Sequence, residues 1–174
     1  MLNVRWGYLA LFVFLVLVQV LVLNNIHLGG YMNPQLYVFL VLLLPLNIPG
    51  LLLLSVAFVL GLIIDMFSDS LAIHAGATVF MAFCRPTVIR LVTGQFVAED
   101  PERPSFSSFG TFSMIFYVIA LVLAHHAVLF FLEVFRFSEV PHTLIRILLN
   151  TGFTALFVLL AFIFSDRPAG KKAR

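Results

Sequence analysis

From Trp6 to Leu23 the chain carries one strongly polar side chain, Gln19, and further long apolar runs follow along the sequence. A helix crossing the hydrocarbon core of a bilayer needs about 20 predominantly apolar residues, with about 17–25 as the working range. Of the 174 residues, 62% are hydrophobic and 10% charged, and mean hydropathy is +1.11. A soluble domain is nearer about half apolar and about a quarter charged. A single soluble core of this length cannot enclose so much apolar surface, so lipid must cover most of it. Transmembrane β-barrels alternate apolar and polar residues, whereas these runs are continuous. Cys84 is the only cysteine, which excludes a disulfide scaffold. The sequence reads as an all-α polytopic membrane protein. Its net charge of +2 says little about nucleic acid, because the basic residues mark orientation, and no nucleic-acid partner is expected.

The first span is expected at about Trp6 to Leu23, preceded by Arg5 and followed by Asn24-Asn25-Ile26-His27. Signal-peptide cores are about 7–15 residues long and end in a small-residue cleavage site, so this run reads as an uncleaved helix. An outer loop follows from Asn24 to Pro34. Leu36 to Leu46 is short, and Pro45, Asn47, Pro49 and Gly50 separate it from Leu51 to Ile64. These residues form either one kinked helix or two spans joined by a turn, and two prolines four apart favour the turn. Later spans are expected at about Ile73 to Leu91, Thr111 to Phe135 and Thr143 to Phe164. With six spans, Arg5, Arg85, Arg90, Arg103, Arg167, Lys171, Lys172 and Arg174 fall on the cytoplasmic side, and only Arg136 and Arg146 lie outside. Five spans strand most of the positive charge outside, against the positive-inside rule. The expected organisation is therefore a six-helix domain over residues 1–166 and a basic cytoplasmic tail at 167–174, lying on anionic lipid. The acidic Thr93 to Gly110 loop is expected to be a solvated connector.

Ionisable residues within spans usually face protein or water. Asp65 and Asp69 close the third span and His74 opens the fourth, so Asp65 and His74 are expected to interact across the outer turn, with Asp69 solvated. In a hairpin centred near Ser138 and Glu139, Glu133 lies opposite Arg146, and His125 and His126 lie near Thr154. Arg146, Asn150 and Thr154 are spaced by four and share one face of the last helix. The polar groups thus gather in the outer half of the bundle and are nearly absent from the inner half. Their role is a substrate cavity, a groove for a partner helix, or internal helix glue; His125, His126, Asn150 and Thr154 are the groove candidates. Arg85 and Arg90 are expected to snorkel to lipid phosphate at the inner interface. Adjacent histidines point about 100° apart on a helix, so His125 and His126 do not form a metal pair. No zinc, phosphate-loop, nucleophile-elbow or Cys-x-x-Cys motif is present, so neither catalysis nor a cofactor is expected. Small residues four apart, such as Thr78 and Ala82 or Thr151 and Ala155, suit close helix packing within the bundle.

The arrangement Gly61, Asp65, an outer turn, then His74-Ala75-Gly76 followed by Arg85-Pro86 resembles the rod shape-determining MreD family, in the branch found in Bacteroidetes-type bacteria. Gly61, Asp65 and Gly76 match that family's Gly…Asp…Gly core. The resemblance implies a non-enzymatic component of the bacterial inner membrane. It implies direct binding to the single-span protein MreC, within a wider complex of the actin-like MreB, the glycosyltransferase RodA and a penicillin-binding transpeptidase. It also implies a fold like the substrate-binding subunits of energy-coupling-factor vitamin transporters. Such a subunit is the alternative reading of the chain itself, although the first helix offers only Gly7 and Ala10 for the small-residue docking pattern those subunits carry.

The six-span reading is checked by cysteine labelling in a Cys84-free background. A cysteine at position 100 is expected to react only from the cytoplasmic face, and labelling from outside refutes the topology.

Overall fold

The computed structural model describes residues 2–25, 33–94, 103–134 and 140–166. These residues form α1 (Leu2–Leu21), a 3-10 turn at Leu23–Asn25, α2 (Val38–Leu43), α3 (Gly50–Ser68), α4 (Ile73–Thr93), α5 (Phe106–Phe109), α6 (Thr111–Val134) and α7 (Val140–Ser165). The protein is an all-α polytopic membrane protein. Five helices, α1 together with its terminal turn, α3, α4, α6 and α7, are long and apolar enough to cross a bilayer.

The expected second span is the exception. Leu36 to Leu46 yields only the six-residue α2, about 9 Å of helix at 1.5 Å per residue, against a hydrocarbon core about 30 Å thick. Every side chain from Tyr37 to Leu44 is buried. An apolar segment of this length that is hydrophobic all round suits the interior of a bundle rather than its lipid face. Side chains of α1, α3, α4, α6 and α7 join α2 in one core, including Leu15, Leu60, Met81, Leu121 and Val158. Phe39 meets Phe162 edge-on, with ring centroids 4.9 Å apart.

Cross-helix contacts give the chain direction. Asn24 after α1 bonds Ser68 at the end of α3, so α1 and α3 run parallel. The turn after α3 then brings His74 beside Asp65, and Glu133 near the end of α6 meets Arg146 near the start of α7. These groups define a polar end of the bundle. Arg85, Tyr117 and the Leu44–Pro45 backbone lie together toward the opposite end, where Arg103 also bonds Ser165. Parallel α1 and α3 require the intervening chain to return through the bundle, and the Asn33–Pro49 segment does so around α2. Among the described residues, five long helices and this one mostly irregular segment, largely enclosed by protein, run along the bundle. Pro86 lies inside α4, which continues to Thr93; membrane helices tolerate proline where neighbouring groups satisfy the freed carbonyl.

At Gly61 the backbones of α3 and α4 approach closely. A methyl group added to Gly61 would lie 2.5 Å from Ala75 Cα and 2.7 Å from both Ala75 N and His74 O. Only the missing side chain permits that contact. At Gly76 the added methyl meets Leu132 Cδ1 at an ordinary 3.6 Å, so its role does not require glycine. Of the loop expected as a solvated connector, the described part is tied down. Ser105 caps α5 with a reciprocal Ser108 bond, and Phe106 N donates to Asp166 Oδ2 at 2.8 Å.

Gly61→Ala is expected to destabilise the protein by about 1–3 kcal/mol through overpacking against backbone, whereas Gly76→Ala leaves stability nearly unchanged. Thermal unfolding of the purified variants in detergent reads the difference. Equal effects would contradict the close approach at Gly61.

Candidate functional site

The polar side chains of the spans form three connected sets. The first joins α3 to α4. Ala72, the residue preceding α4, has φ 58° and supplies no side-chain cap, so the first amides of α4 need an acceptor from elsewhere. Asp65 provides it: Oδ1 accepts from His74 N and Oδ2 from Ala75 N, both at 2.9 Å. Ser70 Oγ donates to the same carboxylate at 2.6 Å, and His74 Nδ1 lies 3.0 Å from Oδ1. A carboxylate at a helix N-terminus also interacts favourably with the helix dipole. Gly61, one turn before Asp65, permits the approach that puts the carboxylate there. Asp65 and His74 thus meet as expected. Asp69 is the left-handed residue ending α3 and is exposed, in keeping with a solvated position.

The second set holds the entry to the irregular passage. Asn150 Oδ1 accepts from Asn33 N at 2.7 Å, Thr154 Oγ1 from Gln35 N at 3.0 Å, and Gln19 Oε1 from Leu36 N at 2.9 Å. Gln19 Nε2 also donates to Pro34 O. Tyr37 Oη lies 2.9 Å from His125 Nε2. His126 contacts Val122 O through Nδ1 at 2.9 Å and Thr154 Oγ1 through Nε2 at 3.5 Å. His125, His126, Asn150 and Thr154 are all fully buried. They do come together, yet they do not line an open groove. The partner-groove expectation for these four is corrected: non-helical backbone in a dry interior needs hydrogen-bond partners, and these residues hold or support that backbone.

The third set holds the exit. Arg85 Nε donates to Tyr117 Oη at 2.9 Å, Nη1 to Pro45 O at 3.3 Å and Nη2 to Leu44 O. Tyr117 Oη donates in turn to Leu42 O at 2.8 Å. Arg85 is only 1% exposed, so the expectation that it snorkels to lipid phosphate is corrected. Its cation instead sits at the C-terminal end of α2, where carbonyls converge and the helix dipole favours positive charge. The inner half is correspondingly less apolar than expected. Arg90 is exposed, as an interfacial anchor requires.

At the polar end Arg146 Nη2 reaches Glu133 Oε1 at 3.1 Å and Oε2 at 3.2 Å, and its guanidinium lies 4.6 Å from the Phe130 ring centroid. This partly exposed pair contributes about 0–1 kcal/mol. Arg136, three residues after Glu133 and so its alternative local partner, lies outside the described residues, as do His27, the Glu99–Glu102 acidic run and the basic tail. Glu133 and Arg146 border a cavity of about 700 Å³, with Asn24, Asn33, Gln35, Ser68 and His74 among its other walls. Among the described residues no group of three His, Cys, Asp or Glu is close enough to hold a metal. Sequence reasoning missed Gln19, Gln35, Tyr37 and Tyr117. Gln19 was the one legible signal, as the lone polar interruption of an apolar span. Comparison with family models, with curated proteins and with solved structures gives no match.

Arg85→Met removes the donors of two interior carbonyls and of the Tyr117 hydroxyl. Each buried group left unpaired costs about 1–3 kcal/mol, so a loss of about 3 kcal/mol or more is expected. Tyr117→Phe, which orphans only Leu42 O and one Arg85 donor, is expected to cost less. Denaturation in mixed micelles ranks the two, and the reverse order would show that Arg85 is not the main support of this backbone.

Proposed function

We propose that this protein is a non-enzymatic, multi-pass component of the bacterial inner membrane that binds MreC and supports peptidoglycan synthesis along the side wall. In this reading MreB, RodA and a penicillin-binding transpeptidase belong to the wider complex, both termini are cytoplasmic, and the chain performs no chemistry itself. The resemblance supports it at Gly61, Asp65 and His74, which make a single joint between two helices.

The observation that carries the reading is the state of α1. Only 17% of its apolar stretch is buried, against 44% for α6. Trp6, Leu9, Val13, Phe14, Leu17 and Leu21 stay exposed along it. The groove expected from the polar residues is closed, so recognition of a partner's transmembrane helix falls to an apolar face. Lipid does not drive helices together hydrophobically, and such recognition relies on close packing.

The polar-end cavity favours a second reading, the substrate-binding subunit of a vitamin transporter. The two are separated by reconstitution. A stable complex with MreC is expected without nucleotide or metal, and Val13→Trp together with Leu17→Trp is expected to weaken it at least about tenfold, equivalent to about 1.4 kcal/mol. Failure to bind MreC, with tight binding of a water-soluble vitamin in the cavity, overturns the proposal in favour of the second reading.

A further inference from the structure

We propose that the face shared by α1 and α3 binds phospholipids with short acyl chains. It holds the bilayer about 6 Å thinner there than beside α6 and α7, counted from the helical rise of the exposed runs. The inference is independent of the partner reading, because α3 keeps a lipid face whether or not a partner covers α1.

The first observation is the length of each face. On α1 the exposed large apolar residues run from Trp6 to Val22, and on α3 from Leu51 to Phe67. Each run rises about 24 Å at 1.5 Å per residue, against a hydrocarbon core about 30 Å thick. Polar residues close both runs. Arg5 precedes Trp6, and the exposed Asn25 follows Val22. On α3 the exposed Asn47 and Asp69 flank the run in the same way. On α6 the exposed run extends from Phe112 to Leu132, and on α7 from Leu144 to Phe164. Each of these rises about 30 Å and matches an ordinary bilayer.

The second observation is register. Asn24 bonds Ser68, 44 residues later, which sets the parallel α1 and α3 level at that offset. Trp6 then lies level with Gly50 and Val22 with Met66, so the two short faces begin and end together. They form one patch rather than two staggered ones. Trp6 is 64% exposed, and tryptophan is enriched where hydrocarbon meets head groups. Its position marks the inner boundary of the patch.

Tilt cannot remove the difference. Tilting shortens the depth that a helix spans, so about 24 Å is the greatest thickness this face can match. A stretch shorter than the hydrocarbon core is accommodated by thinning the bilayer around it. Lipids with short chains form that thinner layer with the least deformation.

Trp6 is the only tryptophan, which supplies a reporter on α1. The full-length protein is reconstituted in vesicles, and its fluorescence is quenched by dibrominated phosphatidylcholine. Phosphatidylcholines with fourteen-carbon and eighteen-carbon monounsaturated chains then compete for the quenching sites. Two further proteins move the reporter: Trp6→Phe with Phe58→Trp on α3, and Trp6→Phe with Phe157→Trp on α7. At Trp6 and in the Phe58→Trp protein the fourteen-carbon lipid is expected to bind at least about threefold more tightly, in line with a cost that grows with each ångström of mismatch. In the Phe157→Trp protein that preference is expected to be absent or reversed. The native Trp6 signal decides the matter if Phe58→Trp fails to fold. No preference at Trp6, or the same preference at all three positions, overturns the proposal. Absence of quenching at both Trp6 and Phe58→Trp would show that protein covers the patch, and it overturns the proposal equally.

Discussion

A stretch of irregular backbone enclosed in an apolar bundle must find every hydrogen bond inside the protein, and most of this structure's polar design answers that requirement. The six-residue α2 and the turn before it pair their own amides locally, from Val38 N to Gln35 O through Leu44 N to Leu40 O, but the backbone on either side has no such ladder. The remaining groups are met from neighbouring helices: Gln19, Asn150 and Thr154 at the entry, Arg85 and Tyr117 at the exit. Without these partners, each unpaired group in a non-aqueous interior would oppose the fold by an amount comparable to a lost hydrogen bond. Four of the long helices, α1, α4, α6 and α7, are therefore positioned by more than packing, since each supplies a side chain that must reach this backbone.

The joint between α3 and α4 complements this arrangement. Gly61 lets the two backbones touch, and Asp65 caps α4 from the preceding helix because Ala72 offers no side chain for the purpose. One spacing of four residues thus sets both the distance between the helices and the direction in which α4 starts. The same turn carries Ser70 and His74, which form part of the cavity wall, so the geometry of the cavity depends on the joint.

These demands divide the molecule. Many interior polar side chains are occupied by backbone, a polar-walled cavity opens at one end, and the outer face of α1 is apolar and largely uncovered. A protein so arranged offers two kinds of surface, a helix face for a membrane partner and a small polar chamber at one interface. The proposed partner-binding role uses the first.

Much of this was legible in the residues. Apolar run lengths mark the five long helices, the Gly61, Asp65 and His74 spacing marks the α3–α4 joint, and antiparallel counting brings Glu133 to Arg146 and His126 to Thr154. Such features follow from local periodicity and from turns between neighbours in sequence, which a single chain displays openly. The role of Leu36 to Leu46, the burial of Arg85 and the closure of the groove did not follow. An arginine at the end of an apolar helix looks the same in sequence whether it reaches lipid phosphate or an interior carbonyl. Composition and periodicity determined an all-α membrane protein with its long helices in place. Only the tertiary structure decided that one passage is broken and enclosed, because the hydrogen-bond partners of its backbone come from residues such as Arg85, Tyr117 and Thr154, far along the chain.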